Sequence, residues 1–89
     1  MPQVNFASAI QRHVACPPAR VEATSVRQAL DEALRDNARA RGYILDDQGA
    51  VRKHIAIFVD GKPIDDRARQ SDSVAASSEI YVMQALSGG

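Results

Sequence analysis

The order of elements in the sequence predicts an α+β domain: a mixed sheet of four to five strands with one main helix packed on one face. Three observations carry this reading. Large apolar residues alternate along 51–59 and 79–84, which is the period of a strand. A single apolar stripe, Val26, Ala29, Leu30, Ala33, Leu34 and Ala38, recurs at helical spacing earlier in the chain. One helix cannot cover both faces of a sheet, and its position between an early strand and the long central one permits a crossover within a single mixed sheet. The 89 residues are enough for one core and not for two.

The elements follow in order. Val4-Asn5-Phe6-Ala7-Ser8-Ala9-Ile10 alternates well enough for a first strand. Pro17-Pro18 removes two amide donors and fixes a bend, so 10–18 reads as a loop from which Val14 and Cys16 reach the core. Residues 19–23 alternate small apolar and charged side chains, as a half-buried second strand does. Ser25 and Gln28 have capping-box spacing and start the helix. Asp31 precedes Arg35 by one helical turn, a weakly favourable pair. Arg35, Arg39 and Arg41 gather towards the helix C-terminus, where cations are expected, and read as a solvated helix end rather than a phosphate site. Gly42 suits a left-handed stop.

Tyr43-Ile44-Leu45 is a short apolar run before the turn Asp46-Asp47-Gln48-Gly49. In the central strand Ile55, Ile57 and Val59 share one face, with Ala56 and Phe58 on the other. The helix stripe is the natural lid for the first of these faces. Asp60-Gly61 is a strong hairpin turn because both positions tolerate positive φ. Lys62-Pro63-Ile64 makes only a short return strand, since Pro63 cannot donate to a ladder. Residues 65–78 are polar and irregular, with Val74 their one large apolar side chain, and Glu79-Ile80-Tyr81-Val82-Met83-Gln84 is the last strand.

Composition excludes several functions. Eleven Lys and Arg balance eleven Asp and Glu, which argues against a nucleic-acid or anionic-membrane partner. Aromatic residues are 4% of the chain, without Trp, so a base-stacking platform is not expected. One Cys cannot form an internal disulfide, and one Cys with two His does not make a structural zinc site. The start Met1-Pro2-Gln3-Val4-Asn5 lacks the basic and apolar segments of a signal peptide, and no apolar run approaches bilayer length. The expectation is a soluble cytoplasmic protein.

No catalytic constellation is visible. His13 and His54 lie far apart in sequence, with no carboxylate or serine motif beside either. Cys16 reads as a small semi-buried hydrophobe rather than a reactive thiol. Asp46-Asp47 and Asp65-Asp66 lack the spacing of a metal loop and read as turn residues.

The end of the sequence is different. Gly88-Gly89 follows the last strand after a short Ala85-Leu86-Ser87 spacer. A tail without Cβ atoms can enter a narrow channel in another protein, because nothing blocks close backbone approach. It would deliver the Gly89 carboxylate. A carboxylate is a poor electrophile and needs activation, typically as a mixed anhydride with a nucleotide phosphate. This chain has no Gly-rich phosphate loop, so the activating machinery would belong to a partner.

With these residues in view, the sequence resembles the ubiquitin-like sulfur carriers of the β-grasp fold: the small subunit of molybdopterin synthase, the thiamine sulfur carrier, and the carrier used with a cysteine synthase. The resemblance follows element order over the whole chain. It is strongest in Val51-Arg52-Lys53-His54-Ile55-Ala56-Ile57-Phe58-Val59-Asp60-Gly61 and in Ile80-Tyr81-Val82-Met83-Gln84-Ala85-Leu86-Ser87-Gly88-Gly89. The central strand and its turn look most like the cysteine-synthase-associated branch. Gln84-Ala85-Leu86-Ser87 lacks the proline usual before the double glycine of molybdopterin-type carriers, and Ser77-Ser78 stand where Gly-Asp is usual before their last strand.

The resemblance implies a β-grasp domain over 1–86 and a flexible Ser-Gly-Gly tail over 87–89. It implies that an adenylating enzyme with its own ATP and magnesium converts the Gly89 carboxylate to an acyl-adenylate. Sulfide, or sulfur from a persulfide donor, then leaves a thiocarboxylate that passes sulfur to an acceptor enzyme. That acceptor would be a molybdopterin synthase large subunit, a thiazole synthase or a cysteine synthase. Ser87 and Gly88 would form the slim tail, Gly89 would carry the sulfur, and the chain would bind no cofactor. It would be a cosubstrate and not an enzyme, unless counted as the small subunit of a synthase. If the helix covers one face of the sheet, the other is left with Phe58, Tyr81 and Met83, which read as a docking patch, with Leu86 anchoring the tail; otherwise loop residues such as Val14 cover them. Two other readings stay open: a ubiquitin-like modifier joined to lysine through Gly89, and a non-covalent β-grasp interaction module.

Overall fold

The computed structural model describes residues 1–85. In chain order its strands are β1 (Gln3–Phe6), β2 (Ala19–Arg20), β3 (Ile55–Val59), β4 (Lys62–Pro63) and β5 (Glu79–Gln84), and its helices are α1 (Ser8–Gln11), α2 (Val26–Ala33) and α3 (Ala38–Ile44). The five strands form one mixed sheet in the order β2-β1-β5-β3-β4. Strand β5 lies at the centre. It runs parallel to β1, with Val4 opposite Ile80 and Phe6 opposite Val82. It runs antiparallel to β3, with Ile57 opposite Val82 and Phe58 opposite Tyr81.

This register sorts the side chains by face. Val4, Phe6, Ile55, Ile57, Ile80 and Val82 are buried and share the inner face. Val26, Ala29, Leu30 and Leu34 pack over them, with Ile10 from α1 and Ala40 and Ile44 from α3 in the same core. The helices therefore cover one face, as expected.

The Asp60-Gly61 turn has φ of 51° and 86°, the positive pair that a tight hairpin with right-handed strand twist requires. A Cβ at Gly61 would meet no atom within 4 Å. Gly61→Ala is therefore expected to act through backbone conformation alone and to lower stability by about 1–2 kcal/mol. A urea melt checks this, and an unchanged midpoint would contradict it.

Several expectations are corrected. The first strand stops at Phe6: the Ala7 N–H makes the last bond to β5, to the Val82 carbonyl at 2.8 Å, and the chain then turns into α1. The second strand is two residues long. The third strand begins at Ile55, not Val51: 52–55 is a turn closed by an Ile55 N–H to Arg52 carbonyl bond of 3.0 Å, and Val51 instead bridges to Leu45. The single helix is two. Helix α2 ends at Leu34, and Asn37 caps α3 by accepting the Ala40 N–H on its side-chain oxygen at 3.2 Å. The Asn37 amide also donates to the Ala15 carbonyl at 2.6 Å, so the break is held by the segment between α1 and β2. Ala38 is consequently exposed, and Gly42 lies inside α3 rather than ending it.

At the start of α2, Ser25 accepts the Gln28 N–H at 3.2 Å, as the capping box requires. The Gln28 side chain reaches Thr24 rather than Ser25, accepting its N–H at 3.0 Å. The loop 65–78 completes this cap: the Val26 and Arg27 N–H groups donate to the Asp72 and Gln70 carbonyls at 2.9 and 2.8 Å. Gln70 is fully buried at a φ of 53°, and its side-chain amide donates to the Gly49 and Arg67 carbonyls. A polar residue thus ties the loop to the helix start and to the Gly49 turn. Asp31 pairs with Arg41 at 2.9 Å and Arg27 at 3.6 Å, not with Arg35, which pairs with Glu32. The arginine group is therefore partly ion-paired and divided between the helix break and α3.

Candidate functional site

Because β5 alternates, the residues between its core positions point away from the helices. Tyr81 is 42% exposed and lies opposite Phe58, and Met83 lies opposite Ala56; Phe58 and Met83 are half-buried. The structure therefore brings Phe58, Tyr81 and Met83 together on the outer face. Val14, the loop residue expected as their alternative cover, is buried in the core instead. On the β1 side the face turns polar. The Asn5 amide donates to Glu79 at 3.2 Å, and the Gln3 amide donates to Asn5 at 3.2 Å. An apolar half bordered by hydrogen-bonded polar side chains is the composition of a protein-contact surface.

Leu86, Ser87, Gly88 and Gly89 lie outside the described residues. The last described residue, Ala85, donates its N–H to the His54 carbonyl at 2.7 Å, which fixes the backbone just beyond β5.

Around that point the structure assembles residues that the sequence kept apart. His13 follows α1, Tyr43 lies in α3 and His54 precedes β3. The His13 ring stacks on Tyr43 at 5.4 Å and 23°, and His54 meets Tyr43 edge-on at 5.0 Å and 81°. Nothing in their spacing could reveal this, because each comes from a different segment. Ala9, Arg12, His13, Gln84 and Ala85 line a shallow groove beside the stack.

The remaining candidates serve the fold. Cys16 is buried and its thiol contacts the Val14 carbonyl at 3.4 Å. Burial pushes the thiol pKa up, away from the thiolate a nucleophile needs. Asp46 accepts the Gln48 and Ala50 N–H groups at 2.8 and 3.0 Å and so builds its own turn. Asp66 accepts from the Ser71 hydroxyl and the Arg69 N–H, and these bonds hold its carboxyl below the usual range. Among the described residues no three His, Cys, Asp or Glu side chains are grouped to hold a metal, and no helix is long and apolar enough to cross a membrane.

A five-stranded mixed sheet wrapped on one side by helices, with β1 and β5 parallel at its centre, is the ubiquitin-like β-grasp fold. Solved structures share it over nearly their whole length. SAMP1, the small archaeal modifier protein 1 of Haloferax volcanii, matches with a TM-score of 0.78 at 19% identity, over 99% of this chain and 98% of that one. A chain of the Amycolatopsis orientalis BexX/CysO complex matches with a TM-score of 0.79 at 12% identity, over 100% of both chains. Sulfolobus solfataricus Urm1 matches with a TM-score of 0.68 at 14% identity, over 93% of this chain and 99% of that one. No protein-family model and no curated protein matches the sequence.

Proposed function

We propose that this chain is a ubiquitin-like sulfur carrier acting through the carboxylate of Gly89. The observation that carries the reading is the double glycine Gly88-Gly89 a few residues beyond β5, the strand that also presents Tyr81 and Met83. A slim tail and an apolar contact face on the same strand suit a protein that docks on a partner and feeds its terminus into that partner's site. Likeness to a modifier protein and to a carrier-sized chain crystallised in complex supports the reading.

The chemistry is divided between two proteins. On the adenylating partner, which supplies ATP and magnesium, a Gly89 carboxylate oxygen attacks the α-phosphorus and pyrophosphate leaves. Hydrosulfide then attacks the carbonyl carbon of the acyl-adenylate. AMP leaves with one of the original carboxylate oxygens, and a thiocarboxylate remains. This chain's own part is to dock, to present Gly89 and to carry the sulfur to an acceptor such as a cysteine synthase, a molybdopterin synthase large subunit or a thiazole synthase. It is a cosubstrate in cytoplasmic chemistry and not a catalyst.

The test is intact mass after incubation with the host's adenylating enzyme, ATP and sulfide. A gain equal to exchange of one oxygen for sulfur at Gly89 supports the carrier. The absence of any change, with that enzyme active on another carrier, overturns it. Likeness to the small archaeal modifier protein 1 of Haloferax volcanii favours a second reading, a modifier joined through Gly89 to a lysine amine. Higher-mass conjugates in host cells would select it.

In either case Phe58, Tyr81 and Met83 are the contact surface for the activating enzyme, and Leu86 is the anchor of the entering tail. A Tyr81→Ala/Met83→Ala variant is expected to keep its fold and lose about 10- to 100-fold in kcat/KM for adenylation, the scale of one or two interface anchors. Thiocarboxylation of the folded variant at the normal rate would remove the patch from that role.

A further inference from the structure

The rim around Ala85 is distinct from the apolar face and has a charge of its own. Arg12 lies on the α1 side of β5 and Lys53 on the β3 side, so the two cations flank the outgoing backbone. Both are exposed, and among the described residues neither makes an ion pair. Of the other cations Arg27, Arg35 and Arg41 pair with acids and Arg52 and Arg67 donate to backbone carbonyls, so what sets Arg12 and Lys53 apart from exposed cations such as Arg20 and Lys62 is their place beside Ala85. The groove beside Ala85 contains no acidic side chain. Asp46 lines a groove with Arg52, Lys53 and His54 and keeps its charge while its Oδ1 accepts two backbone N–H groups, so the two grooves together hold Arg12, Arg52 and Lys53 against one acid. A chain of zero net charge thus has a local positive excess around the end of β5.

We propose that this rim, Arg12 and Lys53 set around the His13–Tyr43–His54 stack, is the surface that meets an acidic patch on the activating enzyme that receives the tail. The inference rests on the carrier reading above. The cations lie on two sides of the strand end rather than converging in a pocket, which fits an acidic protein rim and not a single bound phosphate. The stacked rings hold His13 and His54 in place before contact, so less side-chain freedom is lost on docking. Complementary rim charges act mainly on association rate and are screened by salt. The apolar face supplies affinity, and the charged rim brings the tail to the channel.

The test compares KM and kcat for thiocarboxylate formation, using the host's adenylating enzyme at about 20 mM and about 500 mM salt, where screening lengths differ several-fold. Arg12→Glu/Lys53→Glu is expected to raise KM about tenfold or more at low salt and about twofold at high salt, with kcat unchanged. Arg20→Glu/Lys62→Glu makes the same change in net charge at the other end of β5, on exposed residues. It is expected to leave KM within about twofold. Equal KM values for the two variants, or a wild-type KM indifferent to salt, would overturn the proposal. So would wild-type binding to phosphatidylserine vesicles that the Arg12/Lys53 change abolishes while KM stays fixed, which assigns the rim to a membrane. A wild-type chain that is never thiocarboxylated overturns the carrier reading itself and this inference with it; an activated chain with a charge-indifferent rim overturns only the latter.

Discussion

Leu30→Ala is expected to destabilise the domain by about 2–5 kcal/mol, the cost of emptying a well-packed leucine site. Leu30 is fully buried in the middle of α2, beside Val26 and Ala29, over the inner face of the sheet. An eight-residue helix is too short to hold itself together in water, so α2 persists through this packed face and its cap. A domain of this length has a total stability on the order of 4–13 kcal/mol at about 0.05–0.15 kcal/mol per residue. The substitution therefore removes a large share of it. Leu30→Met, which nearly conserves volume, is expected to cost less than about 1.5 kcal/mol. Arg35→Ala, which loses only the exposed pair with Glu32, is expected to cost less than about 0.5 kcal/mol. Urea melts of the three variants check the ranking, and equal midpoints for Leu30→Ala and Arg35→Ala would contradict the placement of α2.

The parts of this fold that were legible in the sequence are those whose signal is local. Strand β5 alternates over its full length, and Asp60-Gly61 specifies the turn between β3 and β4 through φ, so both are legible in the sequence. The outer-face grouping of Phe58, Tyr81 and Met83 followed from the same alternation. The break between α2 and α3 was missed because the apolar stripe runs through Leu34 and on to Ala38 without interruption. The stop signal was the polar Asp36-Asn37, and the bond that makes Asn37 decisive is tertiary, to Ala15. Gln70 was passed over for the opposite reason: a glutamine in a polar segment looks solvated, and only its three-dimensional neighbours bury it. The His13–Tyr43–His54 stack had no local signal at all. Leu86, Ser87, Gly88 and Gly89 lie outside the described residues, so the tail remains a proposal from sequence and chemistry.

On that proposal, deletion of Gly89 is expected to abolish activation, with a fall of at least about 100-fold, while leaving the thermal midpoint unchanged. The argument is one of length. Removing one residue still leaves a glycine carboxylate, now on Gly88, so the chemistry of the group is preserved. Its reach shortens by about 3.3–3.6 Å, the span of an extended residue. The fixed origin of that reach is Ala85, held by its 2.7 Å bond to the His54 carbonyl, and on the proposed docking the outer face would lose its contacts if it slid to compensate. A misplacement of only about 1 Å at a reacting centre can cost about 100-fold, so this shift is well beyond tolerance. Gly89→Ala keeps the length and adds one methyl group. Its loss measures the width of the partner's channel separately from its depth. A charged rim or apolar face without a delivered carboxylate would still give a complex, so binding of the truncated chain at near wild-type affinity with no thiocarboxylate is the expected signature. Full activation of the chain lacking Gly89 would show that the carboxylate is not read by position and would overturn the length argument.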